Sequence, residues 1–158
     1  MKSKLENVNT FDLASAIAIG CRTMSSVFNA DDGDIPFFGS QVVPEARLSF
    51  STAHSEAHVP GRHLNALLNA EDALGVEIEE GVIEKHARVA LYSYGGSLCV
   101  PLNRKAIDGP LLNFYPHNIR EGFHALYALV AFRGDKKAAQ CAEKSIETIL
   151  QYWDFDGS

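Results

Sequence analysis

Cysteine is scarce in this chain and poorly spaced for pairing. Cys21, Cys99 and Cys141 are its three cysteines, and no CxxC pair occurs. An odd number of widely separated thiols supports neither a disulfide framework nor a zinc finger. Reduced, mostly buried thiols in a cytoplasmic protein are the expectation. Positive charge is also short: 14 Lys and Arg against 20 Asp and Glu leave a formal net charge of -6. Phosphates repel such a chain, and no basic patch with interleaved aromatics offsets this. Nucleic acid and anionic membrane surfaces are therefore not expected partners. No apolar run approaches the ~20 residues of a membrane span. The opening "MKSKLENVNTFDLASA" follows its two lysines with acidic and polar residues rather than the apolar stretch of a signal peptide. What is present is an ordinary globular composition, 46% hydrophobic and 22% charged over 158 residues. That is enough for one domain, residues 1–158, with a core that needs no disulfide, metal or cofactor.

Helical periodicity dominates. Leu13, Ile17, Cys21, Met24 and Val27 recur at helical spacing behind the capping groups Asn9, Thr10 and Asp12, so a first helix is expected from about Thr10 to Phe28. "NADDGDIP" ends it with turn chemistry, and Asp31, Asp32 and Asp34 read first as turn formers. From Phe37 to Pro60 there is no clean period, with short extended pieces near "QVV" and "RLSFS". Long irregular connections of this kind often carry function. A second helix is expected over about Arg62–Leu74, with Pro60 and Gly61 as a turn before it and Gly75 as its cap. A third spans "VEIEEGVIEKHARVALYSYG", with Val82, Ile83, Ala87, Ala90, Leu91 and Tyr94 on its apolar stripe. After "SLCVPLNRKAIDGPLLNFYP" comes a fourth, in which every residue from Phe123 to Phe132 except His124 is apolar. Such a helix is expected to be wrapped by protein on most sides. The fifth shows a stripe of Ala139, Ala142, Ile146, Ile149, Leu150 and Trp153 beside a charged face. A buried helix joined by Arg133-Gly134-Asp135 to a half-wet one reads as an αα-hairpin with an inner and an outer member.

Several polar groups stand out against this background. Arg62, Asn65, Asn69 and Asp72 share one face of the second helix, opposite Leu64, Leu67 and Leu74. A solvated face, with Arg62 near the helix N-terminus, is the simpler account of them. His54 and His58 are spaced like metal ligands on a helix, with Glu56 between them. Pro60 and Gly61 argue for a loop there, so no metal site is expected. His117, Asn118, Arg120 and Glu121 crowd the start of the fourth helix. Asn118 and Glu121 have the spacing of a capping box. Arg120 is unexplained by it, because a cation is disfavoured in the first turn by the helix dipole. Burial of Glu121 in a mostly apolar helix would raise its pKa and suit it to general acid work.

Two stretches, "HVPGRHLNALLNAEDALG" and "PHNIREGFHALYALVAFRGDKKAAQCAEKSIETILQYWDFDG", resemble the six-hairpin glycosidase-like superfamily, the (α/α) toroids. The first is similar to the "G-R-x-L-x-A-L" start of an inner helix. The second is similar to the "H-N-x-R-E … L-x-x-L … G-D-x-x-A" hairpin and its acidic turn. "DDGDIPFF" resembles the loop leading into the sugar-facing cleft. The resemblance covers a little under half of the chain, and "GRHLNAL" and "HNIRE" are its less common parts. It implies an all-α fold: helical hairpins in a partial (α/α) toroid, with irregular loops or short strands between helices. A closed toroid of about twelve helices exceeds this length roughly twofold. The expectation is thus the N-terminal part of a ring, completed by a second copy or by a missing remainder. It further implies a glycoside hydrolase acting on an oligo- or polysaccharide, with carbohydrate as partner. Glu121 and Asp34 are the implied catalytic carboxylates, with Asp32 or Glu56 as alternatives to Asp34, since two carboxyl groups are normally required. His58, Arg62, Asn65, His117 and Arg120 are the implied substrate-binding residues, and Phe37, Phe38, Tyr115 and Trp153 are candidates for stacking on sugar faces. The rival reading is a non-catalytic helical-repeat module that binds protein or acts as a scaffold.

Overall fold

The computed structural model describes residues 12–152 and 154. Five α-helices alternate with three two-stranded antiparallel ribbons: α1 Leu13–Met24, β1 Phe28–Asn29, β2 Ile35–Pro36, β3 Gly39–Gln41, β4 Arg47–Ser49, α2 Val59–Leu74, α3 Glu80–Ser93, β5 Leu102–Arg104, β6 Leu111–Phe114, α4 His117–Arg133 and α5 Lys136–Tyr152. This mixed architecture overturns the expectation of an all-α chain, and the five helices show no toroid. The reason lies in the connections. Pro36, Gly39, Pro44, Pro101 and Pro110 lie in the connections and disfavour helix there, and backbone groups in those connections find partners across short ribbons instead. Phe28 pairs with Pro36 across the Asp-rich turn, Ser40 with Leu48, and Leu102 with Phe114 past a bulge at Asn103/Arg104.

The helix ends follow local chemistry. The Asp12 side chain accepts from the Ala14 amide and caps α1; the expected caps Asn9 and Thr10 lie outside the described residues. The helix stops at Met24, short of Phe28, because Ser25 and Ser26 turn their hydroxyls back onto the carbonyls of Cys21 and Arg22. Gly75 and Gly134 close α2 and α4 in the left-handed conformation. Asp135 then accepts from the amides of Lys137 and Ala138 and starts α5. Pro60 and Gly61 do not form a turn before α2; they lie in its first turn, where proline has no amide bond to lose.

The core gathers Leu64, Leu67 and Leu68 of α2, Val82, Ile83 and Ala90 of α3, and Ala125, Leu126, Ala128 and Leu129 of α4. The most extensive packing is between α2 and α4. It depends on Gly61: a Cβ there would sit 1.9 Å from the Glu121 carbonyl oxygen. Two corrections concern the outer faces. Helix α4 is not wrapped on most sides, since Tyr127 is 62% and Val130 40% exposed. Helix α5 turns Ala138 and Ser145 inward and leaves Ile146 and Leu150 half exposed, so its buried side is rotated from the expected stripe. Small Ala138 and Ser145 let α5 lie close to the core, which bulkier residues would prevent. Trp153, expected on that stripe, lies outside the described residues. Among the described residues no helix is long and apolar enough to cross a membrane.

The close approach makes a signed prediction about two glycines. Gly61→Ala is expected to destabilise by about 1–3 kcal/mol through overpacking. Gly20→Ala, in the interior of α1 with nothing within 4 Å of the new Cβ, should instead stabilise by about 0.5–1 kcal/mol. Chemical denaturation of both variants measures the contrast.

Candidate functional site

The site begins with a polar frame. Residues Ser51–His58 form a tight turn ahead of α2, closed by the amide of His58 donating to the carbonyl of His54 at 3.0 Å. Its buried backbone is held from two sides. Asn103 accepts from the amides of Glu56 and Ala57 at 3.1 Å each, and it donates to the carbonyl of Ala53. Asn118 donates to the same carbonyl at 3.0 Å. Beneath the turn, Arg104 binds Glu56 through Nε and Asp32 through both terminal nitrogens, and all three side chains are buried. Hydrogen bonds to Asp32, against burial and with help from Glu56, hold the Arg104 guanidinium well above its ordinary pKa. Burial pushes the Glu56 carboxyl up against the pull of Arg104. Glu56 and Asp32, considered as alternative catalytic carboxylates, therefore serve as the fixed counter-charges of Arg104.

Over this frame opens a cleft of about 980 Å³, between the start of α2, the start of α4, α1 and the β3–β4 ribbon. At its floor Glu121 is 1% exposed. Arg120 donates to Oε1 through Nε at 2.9 Å and also through a terminal nitrogen, and Arg62 lies 3.6 Å from the same oxygen. The other oxygen, Oε2, has no hydrogen-bond partner, although His124 Nδ1 lies 3.3 Å away. Burial alone would raise the Glu121 pKa. The hydrogen bond from Arg120 and the charges of His58, Arg120 and Arg62 outweigh it and hold the carboxyl below its ordinary value. Glu121 is thus kept ionised, against the expectation that burial would make it a general acid. The two arginines are anchored only at one end, with side chains 59% and 65% exposed.

Most of the residues singled out by sequence meet here. His58, Arg62, Asn65, Arg120 and Glu121 all line the cleft, and Phe37 and Phe38 form part of its wall. His117 is beside it, its ring 5.6 Å from that of His58. Tyr115 packs on His117 at 5.8 Å rather than lining the cleft. Asp34 is not brought in. It sits at φ 61° in the β1–β2 turn and pairs with Lys85 and Arg88 of α3. The capping box is not formed either: α4 starts two residues earlier than its spacing implies, with no side-chain cap. Asn118 is spent on Ala53 and Glu121 on the arginines.

Among the cleft residues that sequence reasoning missed are two histidines, His124 and His63. His124 carried a signal, as the one polar member of the Phe123–Phe132 run and three residues from Glu121. His63 carried none. It lines the cleft, its ring meets His86 edge-on at 5.0 Å, and burial together with the charges of Arg62 and His58 lowers its pKa to about 4. His86 is fully buried, bonds the Met24 carbonyl through Nε2 at 3.1 Å, and is lowered to about 3 by burial and by His63.

No family model, curated protein or solved structure matches this chain.

Two predictions follow from the frame and the buried histidines. Arg104→Leu strands Asp32 and Glu56 without a counter-charge and should cost about 3–5 kcal/mol in urea unfolding. His63 and His86 are neutral when folded and take up protons more readily when unfolded, at about pH 6.5. Their contribution is fully present above that pH and is lost as pH falls toward 4 and then 3. Stability should fall by up to about 1.4 kcal/mol per pH unit for each histidine. His86→Gln, which retains a donor for Met24, should flatten the slope of unfolding free energy measured from pH 6.5 to 4.

Proposed function

We propose that the cleft binds carbohydrate and that the chain is a glycoside hydrolase, or part of one, acting on an oligo- or polysaccharide. One observation carries the reading: a buried, ionised Glu121 with an unbonded oxygen, flanked by two half-anchored arginines at the floor of an open cleft. A saccharide needs a dense mixture of donors and acceptors, which Arg62, Asn65, Arg120 and His58 offer. Phe38, 48% exposed on the cleft wall, presents a ring for the apolar face of a pyranose. The cationic surplus favours an acidic sugar, because a guanidinium fork matches a uronate carboxylate. The two stretches that resemble six-hairpin glycosidases, "GRHLNAL" and "HNIRE", are the ones that supply Arg62, Asn65, Arg120 and Glu121.

Held ionised, Glu121 is suited to accept a proton from water or to face an oxocarbenium-like carbon, not to donate to a leaving group. It is the one carboxylate among the described cleft-lining residues. The second carboxyl group of a glycosidase comes in this reading from outside them, with a second copy of the chain as one source. Three thiols without a bridge among them suit the reducing cytoplasm. A second reading has its own observation. An apolar groove of about 560 Å³, lined by Leu98, Val100, Leu102, Leu112, Phe114 and Ile149, favours a module that binds protein.

Titration calorimetry with a panel of uronic and neutral oligosaccharides tests the proposal. Saturable binding of a uronate-bearing sugar is expected, weakened about tenfold or more by Arg120→Ala through loss of a charged hydrogen bond. Glu121→Gln should bind within a few-fold of the parent but release no reducing ends. Absence of saccharide binding, or indifference to Arg120→Ala, would defeat the reading in favour of the apolar groove.

A further inference from the structure

Three imidazoles converge beside the cleft from two separate parts of the chain. His54 and His58 lie one helical turn apart, on the turn closed by their own 3.0 Å backbone hydrogen bond. Pro60 and Gly61 lie inside α2 rather than in a loop, and the tight turn before it brings the two rings together, 5.1 Å apart. His117 arrives from the first residue of α4. The ring centroids form a near-equilateral triangle, 5.1, 5.5 and 5.6 Å on its sides. One ring nitrogen from each lies within 4.8 Å of the others.

We propose that His54, His58 and His117 bind a divalent transition-metal ion of the zinc class, with three imidazole ligands and at least one coordination position left open. Imidazole is the ligand such ions favour, and three protein ligands with an open position is the arrangement of reactive rather than purely structural zinc. A tetrahedral ion with bonds of about 2.1 Å needs nitrogens about 3.4 Å apart. The nitrogens, within 4.8 Å of one another, would have to draw closer around the ion.

The surroundings support the assignment. The Ser51 hydroxyl lies 2.9 Å from Nδ1 of His54, which orients the ring and leaves Nε2 for the ion. Phe38 stacks on the outer face of His54 at 4.0 Å and limits its motion. Nδ1 of His58 is buried without any partner. The turn that carries both histidines is pinned by Asn103 and Asn118, so the ligands stand on a rigid base. Burial, followed by mutual repulsion, keeps His54 below the ordinary histidine range. Burial likewise lowers His58, against the pull of Glu121. The Glu121 carboxylate near His58 offsets part of the ion's charge. Exposed His117 leaves an entry path. The inference stands whether or not the cleft takes sugar.

The test is calorimetric titration of the metal-stripped full chain with zinc, followed by cobalt substitution. One ion per chain and a raised melting temperature are expected. Affinity should fall at least about tenfold in His54→Ala/His117→Ala and stay unchanged in His124→Ala. Bound cobalt should show visible bands of nitrogen and oxygen ligation. The proposal is overturned by no stoichiometric uptake, by undiminished uptake in the double variant, or by the thiolate charge-transfer absorption that Cys99 and Cys141, 3.9 Å apart, would produce. Should the double variant not fold by circular dichroism, His117→Gln, at an exposed helix end, decides the matter by the same criteria.

Discussion

The approach of α2 to α4 at Gly61 is the contact on which the rest of the molecule depends. A glycine in the first turn of one helix lies against the backbone of Glu121, the fifth residue of the other, with no room for a side chain between them. The cost of a flexible residue in a helix is offset by the fit of Leu64, Leu67 and Leu68 against Ala125, Leu126, Ala128 and Leu129, which exclude water along the rest of the crossing. The same contact sets the chemistry. Arg62 follows Gly61 directly, and Arg120 precedes Glu121, so both guanidinia are delivered to one buried carboxylate by the backbone geometry of the crossing.

A second constraint runs through the polar frame. Burying Arg104, Asp32 and Glu56 together removes three charges from water, which is seldom favourable in net energy. What the arrangement provides is position. Asp32 comes from the turn between β1 and β2, Glu56 from the turn before α2, and Arg104 from the β5–β6 ribbon, so one guanidinium joins three segments that share no helix. Asn103, next to it, and Asn118 tie down the backbone that bears His54 and His58. The ribbons are too short to be stable alone. They serve as arms that carry single polar groups to a common point.

The extent to which this was legible in the sequence varies by element. The helices were readable from their periodicity because burial on one side imposes it, and Gly75 and Gly134 marked two ends for a local steric reason. The αα-hairpin of α4 and α5 was readable from the short Arg133-Gly134-Asp135 turn. The ribbons were not, apart from extended pieces near residues 41 and 47, since pairs of two to four residues leave little alternation to detect. The resemblance to helical toroids then pulled the fold class toward all-α. In the site, the polar starts of α2 and α4 were singled out from the residue types and their spacing. Their meeting in one cleft could not be derived from spacing, and neither could the separation of Asp34, which is drawn to Lys85 and Arg88 instead.

Composition and period alone determined the five helices of the described residues, with Arg62 and Asn65 early in α2 and Arg120 and Glu121 early in α4, because both signals arise from each segment's own contact with water. Tertiary structure decided which mouths face each other, that Glu121 is ionised and Arg104 buried, and that three histidines from residues 54, 58 and 117 converge. These outcomes depend on distances between groups far apart in the chain. A pKa or a coordination site responds to every charge within a few ångströms, whatever its position in sequence.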